Sequence, residues 1–123
     1  MKQIVFDSDV LIDLLRGVQS TYDQVTSLTE DAELCCSVIT LAEIYAGMFP
    51  REKKATDQLL NSLVHIPVTD TVAATAGRLR NKYKQIELMD CLIAASAMGL
   101  GAYLLTKNIK HYPMENLRLL PIK

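Results

Sequence analysis

The sequence predicts one α/β domain spanning residues 1–123, a mainly parallel sheet of four or five strands flanked by helices. Three observations carry that expectation. The 123-residue chain is 50% hydrophobic, long enough to bury one core and short for two. Short apolar runs alternate with helical spacing along its length. No internal repeat, low-complexity tract or Pro/Gly/Ser-rich linker breaks the series. Strands separated by helices imply crossovers between parallel strands, with both sheet faces covered.

The elements follow in order. Residues 3–6 (QIVF) form the first strand, and Val10 to Arg16 a short helix stopped by Gly17. A mostly polar helix runs from Thr21 to Asp31, and residues 34–38 (LCCSV) make the second strand. Helices at Leu41–Met48 and Glu52–Leu63 come next, the latter presenting Leu59, Leu60 and Leu63 on one side. The third strand is 64–68 (VHIPV). Asp70 or Thr71 caps a helix reaching about Tyr83, a further helix covers Leu88 to Met98, and 102–106 (AYLLT) is the fourth strand. Residues 117–122 (LRLLPI) add an edge strand.

Overall charge excludes little, because 13 basic and 14 acidic residues leave a net charge of −1. Its distribution is uneven: residues 1–50 hold two basic and eight acidic groups, residues 51–123 eleven basic and six acidic. An acidic centre beside basic surfaces fits that asymmetry. Cys35, Cys36 and Cys91 are odd in number and lack zinc-site spacing, which points to a reduced cytoplasmic protein. The N-terminal apolar stretch is too short for a secretory signal. Residues 91–105, the longest uncharged apolar-rich run, fall short of the roughly 20 residues a membrane span needs.

Ligands of open parallel sheets gather beyond the carboxyl ends of the strands, so acids just after strands carry the functional question. Asp7 follows the first strand and is either a ligand-facing carboxylate or an ordinary loop aspartate. Asp9 stands where an N-cap belongs, and Asp13 lies three residues before Arg16, where a solvated ion pair explains it. Glu43 closes the sequence TLAE, a capping box with Thr40, yet follows the second strand at the same sheet edge. Asp90 shares its helix face with Ile93, Ala94 and Ala97, the side expected to pack on the sheet, so its carboxylate needs a partner. It can also serve the positive end of its helix.

Carboxylates converging in a partly buried site repel one another unless a cation neutralises them. All-oxygen ligation selects a hard ion, Mg²⁺ or Mn²⁺, which keeps waters and takes substrate phosphate oxygens. Such an ion can lower the pKa of bound water and stabilise the leaving oxygen of a phosphodiester.

The segments IVFDSDVLIDLLRG, SVITLAEIYAG, LMDCLIAASAM and LLTKNIKHY, in that order, resemble a PIN domain, in particular the VapC-like ribonuclease toxins of type II toxin–antitoxin modules. The likeness covers essentially the whole chain. It implies a compact α/β nuclease that cleaves RNA with Mg²⁺ or Mn²⁺, is silenced by a small cognate antitoxin, and works in dimeric assemblies. By position, Asp7, Glu43 and Asp90 match the family's acidic metal-site residues. Many PIN domains place an aspartate after the fourth strand, where this chain has Asn108, whose amide oxygen orients water or substrate without adding charge. Thr106 contributes a hydroxyl or simply ends the strand. Asp9 occupies a position where relatives often carry Asn.

Arg78, Arg80, Lys82 and Lys84 form either an RNA-facing cluster or a solvated helix face, and Lys107 and Lys110 flank Asn108. Tyr83 and Tyr112 either stack bases or pack internally. His65 and His111 are assigned no catalytic part. Two other readings remain: a haloacid-dehalogenase-like phosphatase using Asp7 as nucleophile with Lys107 as its lysine, and a PIN-like binding module without catalysis. The phosphatase would need a later acidic pair that the sequence lacks.

Overall fold

The computed structural model describes residues 1–123. Five strands build one sheet: β1 (Gln3–Phe6), β2 (Glu33–Ser37), β3 (Val64–Ile66), β4 (Tyr103–Thr106) and β5 (Arg118–Pro121). Their spatial order is β3-β2-β1-β4-β5, and every pair is parallel. In register, Val5 lies between Cys35 and Leu104. Six helices surround the sheet: α1 (Ser8–Leu15), α2 (Gln19–Leu28), α3 (Val38–Gly47), α4 (Lys53–Asn61), α5 (Asp70–Lys82) and α6 (Leu88–Leu100).

Period-two alternation splits the strand side chains between two cores. Val5, Cys35 and Leu104 enter the one packed by α5 and α6, with Ala76, Ile93, Ala94 and Ala97. Ile4, Phe6, Cys36 and Leu105 enter the other, with Val10 and Leu11 of α1, Val25 of α2 and Leu60 of α4. The three cysteines are buried thiols within these cores. Chain order reverses between β1 and β4, which opens a crevice at their carboxyl ends.

Several helix starts differ from the sequence expectation. The cap of α1 is Asp7, which accepts the Ser8 amide, and Asp9 falls inside the first turn. Ser37 caps α3 by accepting the Ile39 amide, so Thr40 and Glu43 are interior and no capping box joins them. Thr69 caps α5, one residue before the expected Asp70 or Thr71. Each is one of several Ser, Thr or Asp residues near a helix start, and extended backbone at the true cap decides among them. Helix α2 ends at Leu28, short of Asp31, which takes a left-handed φ of 55° that an α-helix cannot hold. No α-helix joins β4 to β5; a single 3₁₀ turn, Ile109–His111, makes the connection.

Candidate active site

Asp7 leaves β1 with its backbone N–H bonded to the Leu105 carbonyl of β4, which sets its side chain at the crevice. The carboxylate is nearly buried, 5% exposed. One oxygen caps α1 at 2.9 Å, and the other accepts the Thr106 hydroxyl at 2.8 Å. Thr106 is fully buried, and its Oγ1 also accepts the Asn108 backbone N–H at 3.0 Å. The hydroxyl thus couples the carboxylate to the turn after β4.

Glu43 arrives from α3 and Asp90 from the first turn of α6. Burial first, then the charges of Asp7 and Asp90, raises the proton affinity of Glu43, with the Ser8 hydroxyl pulling the other way. For Asp90, burial pushes the carboxyl up, His111 opposes it, and Asp7 adds to the rise. Asp9 is pushed up to about 6 by burial and by Asp7, despite accepting the Lys107 backbone N–H. Burial is the largest cause at all three, and repulsion among the carboxylates adds to it.

The cleft has a volume of about 290 Å³ and is lined by Asp7, Asp9, Glu43, Asp90, Asn108 and His111 among others. It therefore brings together all four residues singled out in the sequence. Asn108 stands on its exposed rim. Two contacts escaped the sequence reading. His111 Nδ1 lies 3.3 Å from one Asp90 oxygen, and the Tyr112 hydroxyl donates to the other at 3.4 Å. Tyr112 is 2% exposed, so it packs against the site and does not stack on bases. Burial and the nearby acids push its phenol far up, keeping it a donor. Only the adjacency of HY to TKN hinted at either contact.

Asp13 departs from the sequence expectation. Instead of a solvated pair with Arg16, it accepts the Lys107 ammonium at 2.6 Å and the Thr21 hydroxyl at 2.7 Å. These two partners, ahead of any other, hold its carboxyl below the usual range. Lys107 is thereby engaged away from Asp7, which removes the lysine a phosphatase reading would need. Tyr83 packs partly buried against the core, and Arg78, Arg80, Lys82 and Lys84 are exposed. His65 sits in β3 with Nε2 2.7 Å from the Leu60 carbonyl.

The donor set suits a hard divalent ion. Glu43 Oε1 and Asp9 Oδ1 are buried without a hydrogen-bond partner, an arrangement that costs free energy unless a cation or water meets it. No three acidic, His or Cys side chains are gathered tightly enough to enclose an ion. The carboxylates line one cleft without forming a closed ligand cage.

The sequence profile of the PIN domain matches residues 4–115, nearly the whole chain. The chain belongs to the PIN-domain family. Within that family it is 40% identical to Ribonuclease VapC10 of Mycobacterium tuberculosis over 115 residues, 90% of this chain and 86% of that protein. Ribonuclease VapC19 of the same organism is 31% identical over 89% of this chain and 92% of its own length. The PIN fold here also superimposes on a VapBC2 structure from Rickettsia felis bound to a promoter DNA fragment, with a TM-score of 0.86, 24% identity, and coverage of 98% and 99% of the two chains. A toxin–antitoxin complex from Klebsiella pneumoniae gives 0.85 and 24%, covering 98% of each.

Proposed function

We propose that this PIN domain, taken as residues 1–123, is a metal-dependent endoribonuclease and the toxin of a type II toxin–antitoxin pair. The observation that carries the reading is the cleft where Asp7, Glu43 and Asp90 meet with raised proton affinity at Glu43 and Asp90 and an unpartnered Glu43 oxygen. The resemblance to named VapC ribonucleases supports RNA as substrate.

Asp7, Glu43 and Asp90 would hold Mg²⁺ or Mn²⁺. When bound, such an ion lowers the pKa of water and offsets charge on the leaving oxygen. The chain's own residues do the remainder. Thr106 and the Ser8 amide fix the Asp7 carboxylate, so its orientation does not depend on solvent. Tyr112 and His111 steady Asp90 from two sides. Asn108 offers an amide to water or substrate at the rim, and exposed Lys110 beside it favours an approaching phosphate.

A groove next to this cleft would suit a small antitoxin. This groove of about 310 Å³, lined by Ile12, Leu15, Ile44, Phe49 and Arg51, shares Glu43 with the acidic cleft. A partner segment lying there would reach Glu43, which is consistent with inhibition by occupancy. A homodimer and a cytoplasmic place of action complete the proposal; the buried free thiols suit the latter, and no helix is long and apolar enough to cross a membrane.

Purified chain is expected to cut RNA with Mg²⁺ or Mn²⁺ and to stop with a chelator. Sequencing the 5′ ends of RNA after induction of the wild type and Asp90→Asn would reveal the target. Identical ends in both would sink the nuclease reading and leave a binding module without catalysis.

A further inference from the structure

We propose that Lys107 is a positioning residue: gripped by Asp9 and Asp13 of α1, it fixes the turn after β4 that carries Thr106 and Asn108 at the acidic cleft. Asp9 and Asp13 stand four residues apart, one helical turn, and so share a face of α1. Both reach the same residue. Asp9 Oδ2 accepts the Lys107 backbone N–H at 3.0 Å, and Asp13 Oδ2 accepts its ammonium at 2.6 Å.

Asp13 is itself held, since the Thr21 hydroxyl, 1% exposed on α2, donates to the same oxygen at 2.7 Å. An exposed ion pair between two free side chains contributes little order. Here the Asp13 side chain is 14% exposed and bonded to a buried hydroxyl, so the grip is anchored in the interior. The turn is otherwise held by the Asn108 N–H to Thr106, the His111–Asp90 contact and its own 3₁₀ hydrogen bonds. Residues 107–111 are all exposed, and no α-helix spans β4 to β5. On the cleft side, Thr106 Oγ1 accepts the Asn108 N–H and donates to Asp7, so displacement of Lys107 would be felt at both ends. A lysine beside a nuclease cleft suggests a phosphate contact, but this ammonium is already engaged by Asp13.

The kinetic part of the test rests on the nuclease reading; the exchange part does not. Amide hydrogen exchange and RNA cleavage are measured on the full chain for the wild type, Lys107→Met, Lys107→Arg and Asp13→Asn. In Lys107→Met the Lys107 and Asn108 amides are expected to exchange about tenfold faster or more while β1 and β4 amides are unchanged. Asp13→Asn keeps an oxygen for Thr21 but loses the charge, and is expected to give the same pattern. Cleavage should lose about tenfold in kcat, with KM within about twofold. Lys107→Arg should restore both exchange and kcat.

Unchanged exchange at both amides in either folded variant overturns the proposal, whether or not RNA is cut. A rise in KM with kcat intact also overturns it and assigns Lys107 to RNA binding. If the amides respond while the wild type cuts no RNA, the positioning role stands and the nuclease reading fails.

Discussion

The two oxygens of Asp7 are engaged by different parts of the chain, the Ser8 amide at the head of α1 and the Thr106 hydroxyl at the end of β4. Asparagine is an equally good N-cap, and its NH₂ can donate to the Thr106 hydroxyl where the second oxygen accepted, so Asp7→Asn should unfold within about 1 kcal/mol of the wild type. Loss of the charge at the centre of the site should cut RNA cleavage by about 100-fold or more. Chemical denaturation beside a cleavage assay separates the two effects. Asp9 contributes to the pH dependence beside Glu43 and Asp90, whose proton affinities are raised in the same direction. Its folded carboxyl keeps a proton up to about 6, whereas the ordinary value is 3.8, so the folded state binds the extra proton between those limits. Stability in the presence of a chelator should therefore fall as pH rises through that window and stay reduced above it. Asp9→Asn, which keeps an acceptor for Lys107, should stabilise the protein at pH 7 by on the order of 1 kcal/mol after allowance for partial exposure, and by little near pH 4. Melting of both proteins at the two pH values checks the sign; equal differences would contradict it.

Helix α6 brings Asp90 to the crevice because Ile93, Ala94 and Ala97 bury completely against the sheet. Its far end is set by Gly101, which has a φ of 63° and no atom within 4 Å of the place a Cβ would take. With no clash to consider, Gly101→Ala should cost about 1 kcal/mol through backbone strain alone, read by urea denaturation. Thr69→Ala, which removes the α5 cap, should cost about 1 kcal/mol in the same assay. The strands and helices were legible from apolar spacing, since each has a face buried in one of the two cores. Their caps were not. Asp7 and Asp9, or Ser37 and Thr40, present the same local chemistry, and selection between them depends on where the sheet releases the chain.

For the molecule as a whole, the acidic cleft means that folding gathers like charges and a bound cation should offset that cost. Mg²⁺ at 100 times its Kd would add about 2.7 kcal/mol, a rise of roughly 10 °C in Tm for a domain of this size. Thermal melts at pH 7 with Mg²⁺ or chelator should show that rise in the wild type and a smaller one in Asp7→Asn. An equal rise in both would count against Asp7 as a ligand.

The order of apolar runs, the place of Asp7 and Glu43 after strands and that of Asp90 on a helix face packed on the sheet were enough to expect an α/β domain with acids at one sheet edge, because periodicity and strand-end position are local properties of the chain. Asn108 was picked out by the resemblance to PIN domains, many of which place an aspartate after the fourth strand. What Asp9, Asp13, Thr106, Lys107, His111 and Tyr112 do was a matter of packing. Their partners lie as many as 99 residues away, in the case of Thr106 and Asp7, and are brought close only when β4 docks beside β1. Hydrogen bonds and ion pairs act over a few ångströms of space, and separation along the sequence does not reveal which groups will come that near.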